Sequence, residues 1–155
     1  MAEYLLHGFA QSGNCYKAAL CLEFAAADWK PRFVDYFNGE TRTPEYRKIN
    51  VMGEAPVLEH RGARLTQSGA ILDYLIECFG KYGWKADAER REILRWLLWD
   101  NHKLTSCIAT LRCFLPFMKT GETPVTEFLR GRIRAQPGWV HPYQLMPGHS
   151  LPDRK

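Results

Sequence analysis

The chain has 155 residues, about one average domain or two small ones. Its 46% hydrophobic, 25% charged and 13% aromatic residues are the composition of a folded protein and exclude a disordered, collagen-like or repeat chain. The net charge of +4 is unevenly divided, with −2 on residues 1–80 and +6 on residues 81–155. The basic half interleaves its signs, as in Glu89-Arg90-Arg91-Glu92, which is the pattern of a solvated helix face, so no nucleic-acid partner is expected. The longest apolar stretch, Ala18 to Ala27, is broken by Glu23 and falls short of the ~18 residues of a membrane span, so no membrane partner is expected either. Met1-Ala2-Glu3 lacks the basic start of a secretory signal, and a cytoplasmic location is the expectation. Cys15, Cys21, Cys78, Cys107 and Cys113 form an odd set without a Cys-x-x-Cys pair, which predicts reduced thiols and no metal site.

Tyr4-Leu5-Leu6-His7 reads as a short strand ended by Gly8, and Ser12-Gly13-Asn14 precedes a helical stretch from Cys15 to Ala27. Arg32-Phe33-Val34-Asp35-Tyr36 reads as a second strand. A short helix follows with Thr43 as N-cap and Pro44 at its first position. Pro56 to Glu59 and Ala63 to Thr66 flank the turn His60-Arg61-Gly62 as a hairpin. Ser68 is expected to cap a helix that buries Ile71, Leu72, Leu75, Ile76 and Phe79.

The order βαβαββα is the thioredoxin-like layout, with the first two strands parallel and the hairpin adding antiparallel strands. Proline directly after Ala55 cannot donate to a sheet ladder, and a cis Ala55-Pro56 peptide would account for it.

From Asp87 the spacing turns helical. Leu94, Leu97, Leu98, Asn101, Leu104, Ile108, Leu111 and Leu115 follow helical spacing and predict a long helix, with Asp87 as its N-cap and Pro116 near its end. A second helix is predicted from about Pro124 to Arg134. Pro137, Pro142, Pro147 and Pro152 then leave no room for a helix of useful length. The expected organisation is an α/β thioredoxin-like domain over 1–80, a shortened all-α domain over 87–134 and an irregular Pro-rich tail over 135–155.

Three segments carry a resemblance: Phe9 to Lys17, Asn50 to Leu58 with its Ala-Pro-Val-Leu, and Leu65 to Leu72 with its Gln-Ser-Gly-Ala-Ile. Together they resemble the cytosolic glutathione S-transferases, of the bacterial type with serine at the catalytic position, over residues 3 to about 134. The resemblance implies that Ser12 is the catalytic hydroxyl, hydrogen-bonding the glutathione thiolate. A free thiol has a pKa of about 8.5 and is mostly protonated at neutral pH. A charge-assisted bond of roughly 1.5–3 kcal/mol lowers that pKa by about one to two units, and the helix N-terminus adds a smaller term of the same sign. As residues alone, Ser12 and Ser68 serve equally as helix caps.

The resemblance further implies that Ala55 offers its backbone to the cysteinyl part of glutathione beside Pro56. Gln67 and Ser68 would hold the γ-glutamyl end, and Glu54 is either a peptide contact or an exposed loop carboxylate. Family members commonly have valine where Ala55 stands. Phe9 and His102 are candidates for the electrophile side, with Trp96 and Trp99 read mainly as core. The partners implied are glutathione as co-substrate, a small hydrophobic electrophile and a second copy of the chain in a homodimer.

Cys15 stands where a redox Cys-x-x-Cys would place its second cysteine, with Ser12 in the first position. A dithiol cycle is thereby excluded, and packing as a small hydrophobe is the expected role. Two alternatives to an active transferase stay open: a non-catalytic glutathione-binding or interaction module, and a glutaredoxin-like thiol transferase using Cys15. Family members continue with further helices, one opened by a Ser/Thr-x-x-Asp capping box that nothing after Arg134 supplies. The tail therefore reads as sequence foreign to the fold, as truncation or a shifted reading frame would produce.

Overall fold

The computed structural model of the chain describes residues 2–135. The Pro-rich tail expected over 135–155 lies outside the described residues apart from Ala135. Two compact units divide the chain, Met1–Asn101 and His102–Lys155.

The first unit is built on a four-stranded sheet in the order β2-β1-β3-β4. Strands β1 (Tyr4–Gly8) and β2 (Trp29–Phe33) run parallel, joined through helix α1 (Gly13–Phe24). Strand β3 (Val57–His60) pairs antiparallel with β1, and β4 (Ala63–Thr66) pairs antiparallel with β3. Arg61 and Gly62 form the hairpin turn, both at positive φ (48° and 82°), the conformation of a two-residue turn whose twist matches the strands. Helix α2 (Pro44–Arg47) precedes the hairpin and α3 (Ser68–Phe79) follows it, so the expected βαβαββα order stands.

Burial explains how these elements assemble. Helix α1 turns Cys15, Ala18 and Leu22 inward, and α3 turns Ser68, Ile71 and Leu75 inward, the same i, i+3, i+7 stripe on each. The two stripes meet Tyr4 and Leu6 of β1 and Leu58 of β3 in one core. Leu22, Leu58, Ile71 and Leu75 are each fully buried, stabilising the fold by ~1.5–3 kcal/mol apiece. Because strand side chains alternate, the opposite face of the sheet carries His7 and Val57, and Val57 packs with Val34, Tyr46 and Ile49 in a second cluster.

Several local expectations are corrected. The second strand is Trp29–Phe33 and not Arg32–Tyr36: Gly8 pairs with Phe33, beyond which Val34 turns into the second cluster. Pro31 is tolerated because β2 is an edge strand. Ser68 is the first residue of α3 and caps nothing; Gln67 is the N-cap, without a side-chain cap bond. Asp87 likewise lies inside α4 (Asp87–Trp99), whose N-cap is Ala86. The carboxylate of Glu89 instead reaches back to accept the Lys85 N–H at 2.7 Å. The single long helix is replaced by α4, a π-helical segment Asp100–Ala109, the short α5 (Thr110–Arg112) and a second π segment Cys113–Phe117. Pro116 lacks an N–H and clashes with an ordinary helical turn, and the Met118 N–H reaches back five residues to the Cys113 carbonyl (2.9 Å) around it.

Other local readings agree with the structure. Thr43 caps α2 by accepting from Tyr46 N at 3.2 Å, with Pro44 next to it. In the second unit, α6 (Pro124–Arg134) opens with a reciprocal capping box: Thr123 Oγ1 accepts from Thr126 N at 3.2 Å, and Thr126 Oγ1 accepts from Thr123 N at 2.7 Å. Leu97, Leu104, Ile108 and Leu111 are all half-buried, and α4 has no buried residue.

His7 is 4% exposed and its Nε2 lies 3.0 Å from Glu59 Oε1, while its Nδ1 has no hydrogen-bond partner. Burial lowers the His7 pKa below the ordinary value of 6.5, with Glu59 opposing it. The neutral ring donates from Nε2 and leaves Nδ1 bare, whereas the charged ring would bury an unpaired N–H. In the unfolded chain His7 takes up its proton near pH 6.5, before the folded chain does. This contribution is therefore present above that pH and is lost as the pH drops below 6.5. Glu3 and Glu40, whose pKa values are lowered from 4.5, stabilise the folded chain above that pH and lose this contribution only as the pH falls below it. Denaturant midpoints of the wild type should fall as the pH drops below 6.5, and His7→Gln should flatten the dependence; an unchanged slope in the variant would refute the assignment.

Candidate functional site

The loop from Phe9 to Ser12 leaves the sheet at the end of β1 and turns at once into α1. Ser12 has extended backbone (φ −82°, ψ 116°) and is the N-cap of α1, its Oγ accepting from Cys15 N at 3.3 Å. Its own N–H donates to the Phe9 carbonyl at 3.1 Å. Capping uses an oxygen lone pair and leaves the hydroxyl proton for another acceptor, so the two roles open in the sequence are compatible. Cys15 is 5% exposed beneath this turn, and burial pushes its thiol above the ordinary value of 9.0 against the smaller opposing effect of the Ser12 hydroxyl. The thiol is thus protonated at neutral pH. A Cβ on Gly8 would lie 2.8 Å from Cys15 Sγ, so glycine is what lets α1 pack this closely on the end of β1.

The Ala55-Pro56 peptide is cis, as the sequence suggested. Sequence reasoning missed what holds the corner. The Glu54 carbonyl, one residue earlier, accepts from Tyr46 OH at 3.0 Å and from Asn50 Nδ2 at 2.8 Å. Asn50 is 4% exposed and also accepts from Met52 N at 3.1 Å, an Asx turn that its place before Met52-Gly53 could have signalled. Its second bond, to Glu54, leaves no trace in local sequence.

Gln67 links β4 to α3 with φ 67° and ψ 116°, a backbone conformation costly for any residue with a side chain. Its Nε2 donates to Glu54 Oε2 at 2.9 Å, which makes the exposed Glu54 carboxylate a partner of Gln67. Ser68 is buried, and its Oγ donates to Asn14 Oδ1 at 3.1 Å. Two bonds within one unit therefore link the segments that hold these residues: Gln67 to Glu54 beside Ala55-Pro56, and Ser68 to Asn14, two residues after Ser12. Phe9 is half-buried and stacks on Tyr36 (centroids 4.7 Å, 14°), with Phe37 edge-on to both rings. Tyr36 and Phe37 were not singled out in the sequence. His102 is exposed and belongs to the second unit.

Among the described residues no cluster of three or more His, Cys, Asp or Glu could hold a metal ion, and no helix is long and apolar enough to cross a membrane.

Asn50→Ala should destabilise the protein by about 1–2 kcal/mol, because the Glu54 carbonyl loses a donor and Met52 N an acceptor. Asn50→Asp keeps the Met52 bond but sets a carboxylate against the Glu54 carbonyl, and should cost at least as much. Equilibrium denaturation of both variants checks this; a fully stable Asn50→Asp protein would remove Asn50 from its role at the corner.

Residues 2–77 match the family model for the N-terminal domain of glutathione S-transferases. Glutathione S-transferase 1 of Dianthus caryophyllus is 36% identical over 74 residues, 48% of this chain and 34% of that protein. The disulfide-bond oxidoreductase YfcG of Escherichia coli is 35% identical over 99 residues, 59% of this chain and 46% of that protein. The chain spans between a third and a half of these curated relatives. A crystal structure of a possible glutathione S-transferase from Rhodopseudomonas palustris superposes with a TM-score of 0.80 at 32% identity, covering 86% of this chain and 67% of that one. With the thioredoxin-like sheet and the three converging loops, these matches establish that the chain belongs to the glutathione S-transferase family, with the family's N-terminal domain at residues 2–77.

Proposed function

We propose that this protein binds glutathione through a domain spanning residues 1–80, lowers the pKa of its thiol and conjugates it to small electrophiles. The observation that carries the reading is the convergence of the three loops, since Gln67 bonds Glu54 beside the cis corner and Ser68 bonds Asn14 in the first turn of α1. Glutathione is an extended peptide with a charged γ-glutamyl end and a central thiol, and it needs recognition at separated points. Ala55 would pair its backbone with the cysteinyl unit beside Pro56. The γ-glutamyl carboxylate would go to the N-terminus of α3 at Ser68, where free N–H groups and the helix dipole favour an anion, and the ammonium to Gln67 and Glu54.

Ser12 would then donate to the thiolate from the N-terminus of α1. The serine-type chemistry of the bacterial members needs no general base, because the hydroxyl and the helix end together stabilise the anion. The stacked pair Phe9 and Tyr36, with Phe9 three residues before Ser12, supports an apolar electrophile. A helical region over residues 87–134, homodimerisation, a cytoplasmic location and a role in detoxification complete the reading. A dithiol or glutaredoxin-like cycle is disfavoured by the buried, protonated Cys15. A non-catalytic glutathione-binding or protein-interaction module is the reading to set against it.

Steady-state conjugation of glutathione to a generic aryl halide, alongside retention on immobilised glutathione, separates the two readings. Turnover with retention supports the transferase, retention alone the binding module, and neither refutes both. Ser12→Ala should lower kcat at least tenfold while the Kd for glutathione changes less than twofold, since the hydroxyl acts on the anion that reacts. An unchanged rate would sink the assignment. Replacing Gln67 and Ser68 together with Ala should abolish retention on immobilised glutathione; tight retention would place the γ-glutamyl group elsewhere.

A further inference from the structure

A serine hydroxyl has one proton, and that of Ser68 is directed at a side chain 54 positions away. Ser68 Oγ donates to Asn14 Oδ1 at 3.1 Å, with Ser68 only 6% exposed. Asn14 lies in the first turn of α1, two residues after Ser12, and Ser68 is the first residue of α3. The two helices pack side by side through their inward stripes, so this bond closes the pair at the ends where the site lies. It crosses between the segment proposed to hold the thiolate and the segment proposed to hold the γ-glutamyl group.

We propose that Asn14 is a positioning residue of the glutathione site, acting through Ser68 to fix the spacing between the N-termini of α1 and α3. This rests on the glutathione-binding reading above and deepens it. With its proton committed to Asn14, the Ser68 hydroxyl serves the site as a tie, and the γ-glutamyl carboxylate is received by the main-chain N–H groups of the first turn of α3. The separation of the two helix ends has to match the distance from thiol to γ-glutamyl carboxylate within one bound peptide. Loss of the tie therefore weakens peptide binding and misplaces the thiol together, although Asn14 touches neither. A direct contact between Ser68 and the carboxylate makes a different demand: Ser68 would then matter whether or not Asn14 is present.

The test is a double-mutant cycle on the full chain, with Asn14→Ala, Ser68→Ala and the double variant measured for glutathione Kd and for kcat with an aryl halide. Either single change should weaken binding roughly fivefold, the worth of one hydrogen bond, and lower kcat as well. The double variant should be no worse than either. Asn14→Asp keeps an acceptor at the same reach and should recover most of the affinity. Additive losses, or a loss confined to Ser68→Ala, would overturn the tie while leaving the glutathione reading intact. A shared fall in unfolding midpoint with unchanged Kd would also overturn it, reducing Asn14 to a stabilising contact. A wild-type chain that does not bind glutathione would remove both proposals.

Discussion

The burial of β1 on both faces is the constraint on which the first unit depends. It is the only strand of the described sheet bonded on one side to a parallel neighbour and on the other to an antiparallel one. Tyr4 and Leu6 project into the core made with α1 and α3, and His7 projects to the opposite face beside Glu59. A strand fixed in this way has no freedom of register, because a slip of one residue would exchange Leu6 for His7 in the apolar core. The loop that begins at Phe9 therefore emerges at a defined point, and Ser12 with it.

The candidate site is then a matter of loop ends held by polar bonds to a rigid frame. Glu54 shows the arrangement most clearly: its carbonyl is held by Tyr46 and Asn50, and its carboxylate by Gln67. Tyr46 is fully buried, and burial pushes its phenol up to about 12, so it remains a donor throughout the physiological range. The strained backbone of Gln67 is kept in place by the β4 ladder before it and by α3 after it, whose Ile71 N–H bonds the Gln67 carbonyl at 3.0 Å. Rigidity at these points would suit the proposed recognition of glutathione, because the protein would bear less of the ordering cost on binding.

At the far end of the same sheet a second polar assembly serves stability. His60 is 3% exposed, stacked on Tyr4 at 4.0 Å and bonded to Tyr74 OH at 2.7 Å and Glu3 at 3.1 Å. Burial raises the Tyr4 phenol to about 12 and raises that of Tyr74 as well, so both stay protonated. The hairpin end is thereby joined to β1 and α3 by bonds as well as by packing.

The sequence by itself determined the features whose causes lie within a few residues. Thr43 before Pro44 begins α2, a turn through Arg61-Gly62 joins the hairpin, and Pro124 begins α6. His60, read as part of that turn, instead ends β3. Of the α3 stripe, Ile71 and Leu75 are buried while Leu72, Ile76 and Phe79 are half-buried. The resemblance in Phe9 to Lys17, Asn50 to Leu58 and Leu65 to Leu72 then pointed to the loops read here as the candidate site. Only the tertiary structure decided what those residues bond. Ser68 and Asp87 looked like caps because serine and aspartate commonly are, yet Ser68 finds Asn14 across the fold and Asp87 is displaced by Ala86. The second strand began earlier than its apolar run because pairing with β1 set its register, and the long helix changed pitch at Asp100 and again around Pro116. Local signals record the propensities of a residue and its near neighbours. A hydrogen bond between residues 54 positions apart exists only once the core has brought two helix ends together.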